Sequence, residues 1–189
     1  MLSIIIPTYN EEKEIEVTLQ RLRQHLTALP FEVIVSDDAS TDCTVARARP
    51  IADQILVRTD LAKPNIAATR NRGARVARYP YLVFIDCGVS IPDVNSFFTK
   101  IICAFEHDPK LVGLAVNVRV EPSLATRADN FSFGLINLWF RFCTNVLGMG
   151  LASGKFQIIK ASAFHQQGGF NEAFFAGEDI EFFKRLSRV

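Results

Sequence analysis

The sequence predicts an α/β domain built on a mixed, mainly parallel sheet flanked by helices, and three observations predict it. Apolar, β-branched runs at residues 2–6, 31–36, 54–58 and 81–85 alternate with helical patterns over the first ninety positions. That alternation is the mark of a sheet with crossover helices. The run Tyr81-Leu82-Val83-Phe84-Ile85 is apolar throughout, as expected of a strand covered on both faces. Two of the runs end in acid, at Asp37-Asp38 and at Asp86. Right-handed crossovers bring such ends to one edge of the sheet, where open α/β folds bind ligands.

Each element has a local reason. Residues 2–6 form a strand that Pro7 ends. Asn10 is the expected N-cap of a first helix, with Glu11 and Glu12 in its first turn and Ile15, Leu19, Leu22 and Leu26 on one face. Residues 31–36 form the second strand. Ser40 or Thr41 is expected to cap the helix through Val45 and Ala48. A third strand covers 54–58, and residues 65–77 form an Ala/Arg-rich helix that leads to the strand at 81–85. Residues 93–105 read as a helix, 111–120 and 154–160 as strands, 168–172 as a turn, and 178 onward as a last amphipathic helix carrying Ile180, Phe183 and Leu186. The sequence ends in or just after that helix, which points to a minimal core or a shortened C-terminus.

The stretch 130–152 is apolar and aromatic and about as long as a membrane span. Arg141 sits in its middle, where a charge costs roughly 2.5–3.5 kcal/mol to insert. A spanning helix is therefore not expected. A core helix is the first expectation. The other is a helix that lies on a bilayer or lines a groove for a lipid-like acceptor, with 131–142 as the contact.

Composition narrows the classes. The 189 residues suit a single domain, with 1–90 as a nucleotide-binding half and 91–189 as an acceptor-side half. A net charge of +1, with no Lys/Arg run, gives no field for nucleic acid. Cys43, Cys87, Cys103 and Cys143 are scattered without a CxxC pair, which argues against zinc and for reduced thiols in a cytoplasmic setting. The N-terminus has no basic segment before Pro7, unlike a signal peptide. Neither GxGxxG nor GxxxxGK[ST] is present, so phosphates must be held by another device.

Six segments now stand in order: Ile4-Ile5-Ile6-Pro7-Thr8-Tyr9-Asn10-Glu11, Asp37-Asp38-Ala39-Ser40-Thr41-Asp42, Asn65 with Ala68-Thr69-Arg70-Asn71-Arg72-Gly73, Phe84-Ile85-Asp86, Gly168-Gly169-Phe170-Asn171-Glu172 and Gly177-Glu178-Asp179. Together they resemble the inverting family 2 glycosyltransferases of the GT-A fold. The resemblance implies transfer of a sugar from a nucleotide-diphosphate donor to an acceptor hydroxyl with inversion; UDP is the default donor ahead of GDP, and the aromatic stretch 131–142 points to a lipid-linked acceptor beside a saccharide one. It assigns Pro7, Thr8 and Glu11 to the nucleoside loop, Asp37 and Asp38 to the base, and Arg70 to the nucleotide's surroundings. Asp86 matches the first acid of the Asp-x-Asp motif that holds Mg²⁺ or Mn²⁺, and Asp179, with Glu178 beside it, matches the general base. A carboxylate in hydrogen-bond reach of the acceptor hydroxyl typically contributes 10²–10⁴-fold. Acids at a helix start meet the positive end of its dipole, which favours negative charge there.

One position departs from the pattern. The second acid of the motif is replaced by Gly88. In an extended segment 86 and 88 share a side and Cys87 points away, so a second carboxylate ligand is missing and a thiol is a poor substitute for Mg²⁺. The alternatives are a metal on Asp86, phosphate oxygens and water alone, a shell completed by Asp93 or a downstream side chain, or a metal bound weakly or not at all, which would put activity itself in question. A non-catalytic nucleotide-binding module is the alternative reading. A nucleotidyltransferase is disfavoured, because this sequence has no glycine-rich loop with a basic residue near its N-terminus.

Overall fold

The structure is a computed structural model that describes residues 1–60, 63–120, 125–145, 154–174 and 176–188. Its elements in order are β1 (Leu2–Thr8), α1 (Ile15–His25), β2 (Phe31–Asp37), α2 (Thr44–Ala48), β3 (Gln54–Val57), α3 (Ile66–Val76), β4 (Tyr81–Ile85), α4 (Val94–His107), β5 (Gly113–Ala115), α5 (Arg127–Asn145), β6 (Phe156–Lys160), α6 (Ala161–Gln166) and α7 (Glu178–Leu186). The strands form one six-stranded sheet in the order β3-β2-β1-β4-β6-β5. β1 to β4 are mutually parallel, and β6 runs antiparallel to both β4 and β5. The mixed, mainly parallel sheet is the one the sequence predicts.

Period-two alternation along the strands builds a core on each face. Ile4, Ile6, Val33, Val35, Val83 and Ile85 point to the side covered by α1 and α4. Ile5, Ile34, Leu82, Phe84 and Ile159 point to the side covered by α3, α6 and α7. On that second face Phe84, Phe164, Phe170 and Phe182 pack with ring centroids 4.9–5.3 Å apart, within the favourable range for aromatic pairs. Helix α3 lies so close to β1 that a Cβ on Gly73 would stand 2.4 Å from Ile5 Cγ2.

Several local expectations are corrected. β1 continues through Pro7, because β1 pairs with β4 only from Leu2 to Ile5, so the proline's missing N–H interrupts no ladder on that side. Asn10 is not a helix cap: it has φ 56° and its side chain accepts from Thr41 N at 2.9 Å. Helix α1 starts only at Ile15. Ser40 does not cap α2 either, since its N and Oγ both donate to Asp37. The strand expected over 111–120 is reduced to Gly113–Ala115, and α6 was not foreseen. Asn65 does cap α3, accepting from Ala68 N at 2.9 Å.

Helix α5 is not a core helix. Phe131, Leu135, Ile136, Leu138, Trp139 and Phe142 are all exposed, while Asn137 Nδ2 donates to Val118 O at 3.0 Å. The expected continuation over 146–152 lies outside the described residues. Among the described residues no helix is long and apolar enough to cross a membrane.

Candidate functional site

Parallel pairing carries the ends of β1, β2 and β4 to one edge, and a cavity of about 260 Å³ opens there. Pro7, Thr8, Glu11, Asp38, Asp86 and Lys155 are among its lining residues. Five of the residues expected from sequence therefore share one hollow. The loops are braced before any ligand arrives. Thr8 Oγ1 donates to Asp37 Oδ2 at 2.9 Å, and Asp38 N donates to Thr8 O at 2.8 Å. Asp38 Oδ1 meets Arg58 Nε at 2.7 Å, and its Oδ2 accepts from Asn65 N at 2.6 Å.

Asp37 and Arg70 do not line this cavity. Asp37 is fully buried, and its oxygens hold the 37–40 turn and Thr8. Arg70 is only 1% exposed, because it projects from the face of α3 that packs on the sheet. Its guanidinium instead ties three segments together. Nη1 meets Glu178 Oε1 at 2.7 Å, and Nη2 meets Asp86 Oδ1 at 3.1 Å and Gly154 O at 2.7 Å. Among the described residues its Nε has no hydrogen-bond partner.

The two acids at the start of α7 are unlike each other. Glu178 is buried and committed to Arg70. Asp179 is half-buried, and its Oδ2 would lie 3.1 Å from a Cβ on Gly154, the residue whose carbonyl Arg70 holds. The Gly168–Glu172 turn braces this helix from behind. Asn71 donates to Phe170 O and Glu172 Oε1, both at 2.8 Å, and accepts from Phe170 N at 2.9 Å. Gly169, at φ 74°, is required there, since a Cβ would come within 2.6 Å of Asn71 Oδ1.

The metal expectation meets a different geometry from the one the spacing suggests. Residues 86–88 are not extended: Val89 N donates to Asp86 O, and Gly88 has φ 76°. A side chain at 88 would face the Glu14 carboxylate, 3.5 Å from its Cβ. Asp93 caps α4 through Ser96 N at 3.2 Å and is not among the residues lining the cavity. Burial pushes the Cys87 thiol up, with Glu11 and Asp86 adding to the effect, so it stays protonated. Among the described residues no three His, Cys, Asp or Glu side chains converge as a metal cage. Asp86 itself is shared by two cations, Arg70 and Lys155, whose Nζ is 3.3 Å from Oδ2. The Asp-x-Asp pair is therefore absent, and the one acid of it that remains, Asp86, is already engaged by two cations.

Burial raises the Glu11 carboxyl above its ordinary range, and the nearby Asp86 adds to this. The cavity thus holds crowded negative charge, offset by Lys155. Sequence reading missed Lys155 and Arg58. Both owe their places to strand pairing: β4 and β6 pair Ile85 with Phe156, and Asp86 N donates to Lys155 O at 3.1 Å.

Comparison with known proteins agrees with this geometry. The profile of the family described as Glycosyl transferase family 2 matches residues 3–168. The validoxylamine A glucosyltransferase of Streptomyces hygroscopicus subsp. jinggangensis is 32% identical over 226 aligned positions, covering 98% of this chain and 51% of that protein. The chain thus spans about half the length of that relative. A mannosyltransferase from Pyrobaculum calidifontis, solved with GDP-Man and Mn²⁺, superposes with TM-score 0.73 at 20% identity, covering 98% of this chain and 51% of that one. S. aureus TarS 1-349, solved with UDP-GlcNAc, gives 0.65 at 24% identity, covering 96% and 52%.

Proposed function

The chain belongs to glycosyl transferase family 2 and has its GT-A fold, and from that premise we propose that it moves a sugar from a nucleotide-diphosphate sugar to an acceptor hydroxyl with inversion at the anomeric carbon. The observation that carries the reading is one cavity in which Thr8, Glu11, Asp38 and Asp86 meet, with the Arg70 guanidinium joining Asp86 to Glu178 and Asp179 the next residue along α7. Pro7 and Thr8 wall the nucleoside, and Asp38 stands where a base N–H can donate to it. Uridine is the proposed nucleoside ahead of guanosine; support is the UDP-GlcNAc bound by the TarS neighbour.

Asp179 is the proposed base. It takes the acceptor's proton as the acceptor oxygen bonds to the anomeric carbon, and the diphosphate leaves with the electron pair of the broken C–O bond. Glu178 stays an ion-pair anchor for Arg70, since a carboxylate locked at 2.7 Å to a buried guanidinium is poorly placed to accept a substrate proton. Arg70 acts on the nucleotide only through Asp86.

The acceptor is proposed to be lipid-linked, with the chain working at the cytoplasmic face of a membrane. Support comes from α5. It turns Phe131, Leu135, Leu138, Trp139 and Phe142 outward. Its Phe133 also lines a hollow of about 430 Å³ that runs past Val116 and Phe97 to Cys87, beside the donor cavity.

The test is a screen of UDP- and GDP-sugars for nucleotide release, repeated on Asp179→Asn. The variant should lose at least about 10²-fold in turnover and bind nucleotide as the parent does. Turnover that survives the substitution removes Asp179 from the base role. Nucleotide binding with no turnover on any donor would favour the non-catalytic module, the reading for which Gly88 speaks.

A further inference from the structure

The Asp86 carboxylate is held from two sides by cations of different character. Arg70 lies behind it, buried and fixed by Glu178 and Gly154 O. Lys155 lies in front, with its side chain 59% exposed, and it lines the donor cavity beside Pro7, Thr8 and Glu11. The backbone at Lys155 is set by the sheet, one position beyond the Ile85–Phe156 pair and bonded to Asp86 N. A fixed stem therefore presents an ammonium group at the cavity wall, next to the carboxylate at the end of β4.

We propose that Lys155 is the diphosphate-binding cation of this site and that donor binding and transfer need no divalent metal. The proposal rests on the donor-site reading given above. A metal held only by Asp86 would displace Lys155 from Oδ2 and sit beside Arg70 on the same carboxylate, with like charges a few ångströms apart. Position 88 supplies no second carboxylate, and a Cβ there would face Glu14, while Glu11, which lines the same cavity, has its carboxyl raised by burial. The ammonium answers the same chemical need. When the C–O bond to the sugar breaks, the electron pair goes to the β-phosphate oxygen, and a cation at that oxygen stabilises it. The acceptor's proton goes to Asp179, so the transfer balances with no further reagent. Lys155 is a compact charge with three donors and can hold Asp86 and a phosphate oxygen together.

Calorimetric titration of UDP and of GDP tests this, in buffer with EDTA and in buffer with excess Mn²⁺, on the parent protein, Lys155→Ala and Lys155→Arg. The parent should bind one nucleotide in EDTA with nearly the affinity it shows in Mn²⁺. Lys155→Ala should weaken that binding about 10- to 100-fold, the size of a lost charge-assisted contact, with an unchanged melting midpoint. Lys155→Arg should recover most of the loss. Binding that appears only with Mn²⁺, or an unaltered Lys155→Ala in EDTA, overturns the role given to Lys155 and leaves the donor site standing. Failure of both nucleotides in both buffers overturns the donor site itself, and the role of Lys155 falls with it.

Discussion

At the scale of single residues the chain places charge where it has a defined partner. Glu32 is a buried acid far from the cavity. Burial alone would raise its carboxyl, yet hydrogen bonds from Ser3 Oγ at 2.7 Å, Arg78 N at 2.7 Å and Arg78 Nε at 2.8 Å win and hold it below its ordinary value of 4.5. A folded-state value below the unfolded one means the unfolded chain binds more protons in that window, so stability rises with pH there. The contribution of Glu32 is present above pH 4.5 and is lost as pH falls through the lowered value. Urea denaturation across pH should show Glu32→Gln destabilised by about 1.5–3 kcal/mol at neutral pH, with the gap to the parent closing in acid. A gap that stays constant down to pH 3 would remove the ionised carboxylate from the explanation. Residues of this kind divide by legibility. Asp38 can be read from sequence because it follows a strand end, and Thr8 and Glu11 because their segment resembles that of the family. Arg58 and Lys155 cannot, because their partners are chosen by the register of distant strands.

At the scale of elements, periodicity tells which residues are helical more readily than what the helix faces. Asn65, read only as the first residue of a helix, caps α3, whereas Asn10 looks like a cap and instead takes a left-handed turn to reach Thr41. The two share a residue type, and only the loop packed against Asn10 separates them. Helix α6 has six residues, too few for a period to declare itself. Helix α5 is the sharper case. An apolar, aromatic run reads equally as a core helix or as a surface helix, and its direction depends on where the sheet ends. The structure leaves Phe131, Leu135, Leu138, Trp139 and Phe142 exposed, with Trp139 and Phe142 stacked 6.0 Å apart. Those positions recur at four, three, one and three residues, one stripe of an amphipathic helix. Aromatic rings on such a stripe suit a bilayer boundary. Co-sedimentation with anionic liposomes should therefore recover the protein, and Leu135→Ser with Trp139→Ser should abolish recovery while nucleotide affinity is kept. Protein that stays in the supernatant with every vesicle composition would end the membrane proposal.

At the scale of the molecule, the site is a joint between an alternating half that the sequence describes well and a second half that it describes in fragments. Strand and helix alternate so regularly up to β4 that the parallel order follows from the pattern. Nothing within β6 states that it pairs antiparallel with β4, since a short apolar run has no direction of its own. Helix α3 makes the joint. Asn65 Nδ2 donates to Glu172 O at 2.8 Å, Arg70 holds Glu178, Asn71 grips the Phe170 backbone, and Gly73 lets the helix close on β1. The donor cavity borrows Ile66 and Thr69 from α3 but not Asn71, whose bonds go to the turn that precedes Asp179. The two functions should therefore separate on mutation. Asn71→Ala leaves the buried Phe170 N–H and C=O without their side-chain partner, at a cost of about 1–3 kcal/mol for each group so orphaned. Helix α7 should then loosen relative to the sheet, lowering turnover by tenfold or more while nucleotide affinity changes little. Equal losses in affinity and turnover would mean that donor cavity and base form one rigid unit, with α3 as its common core.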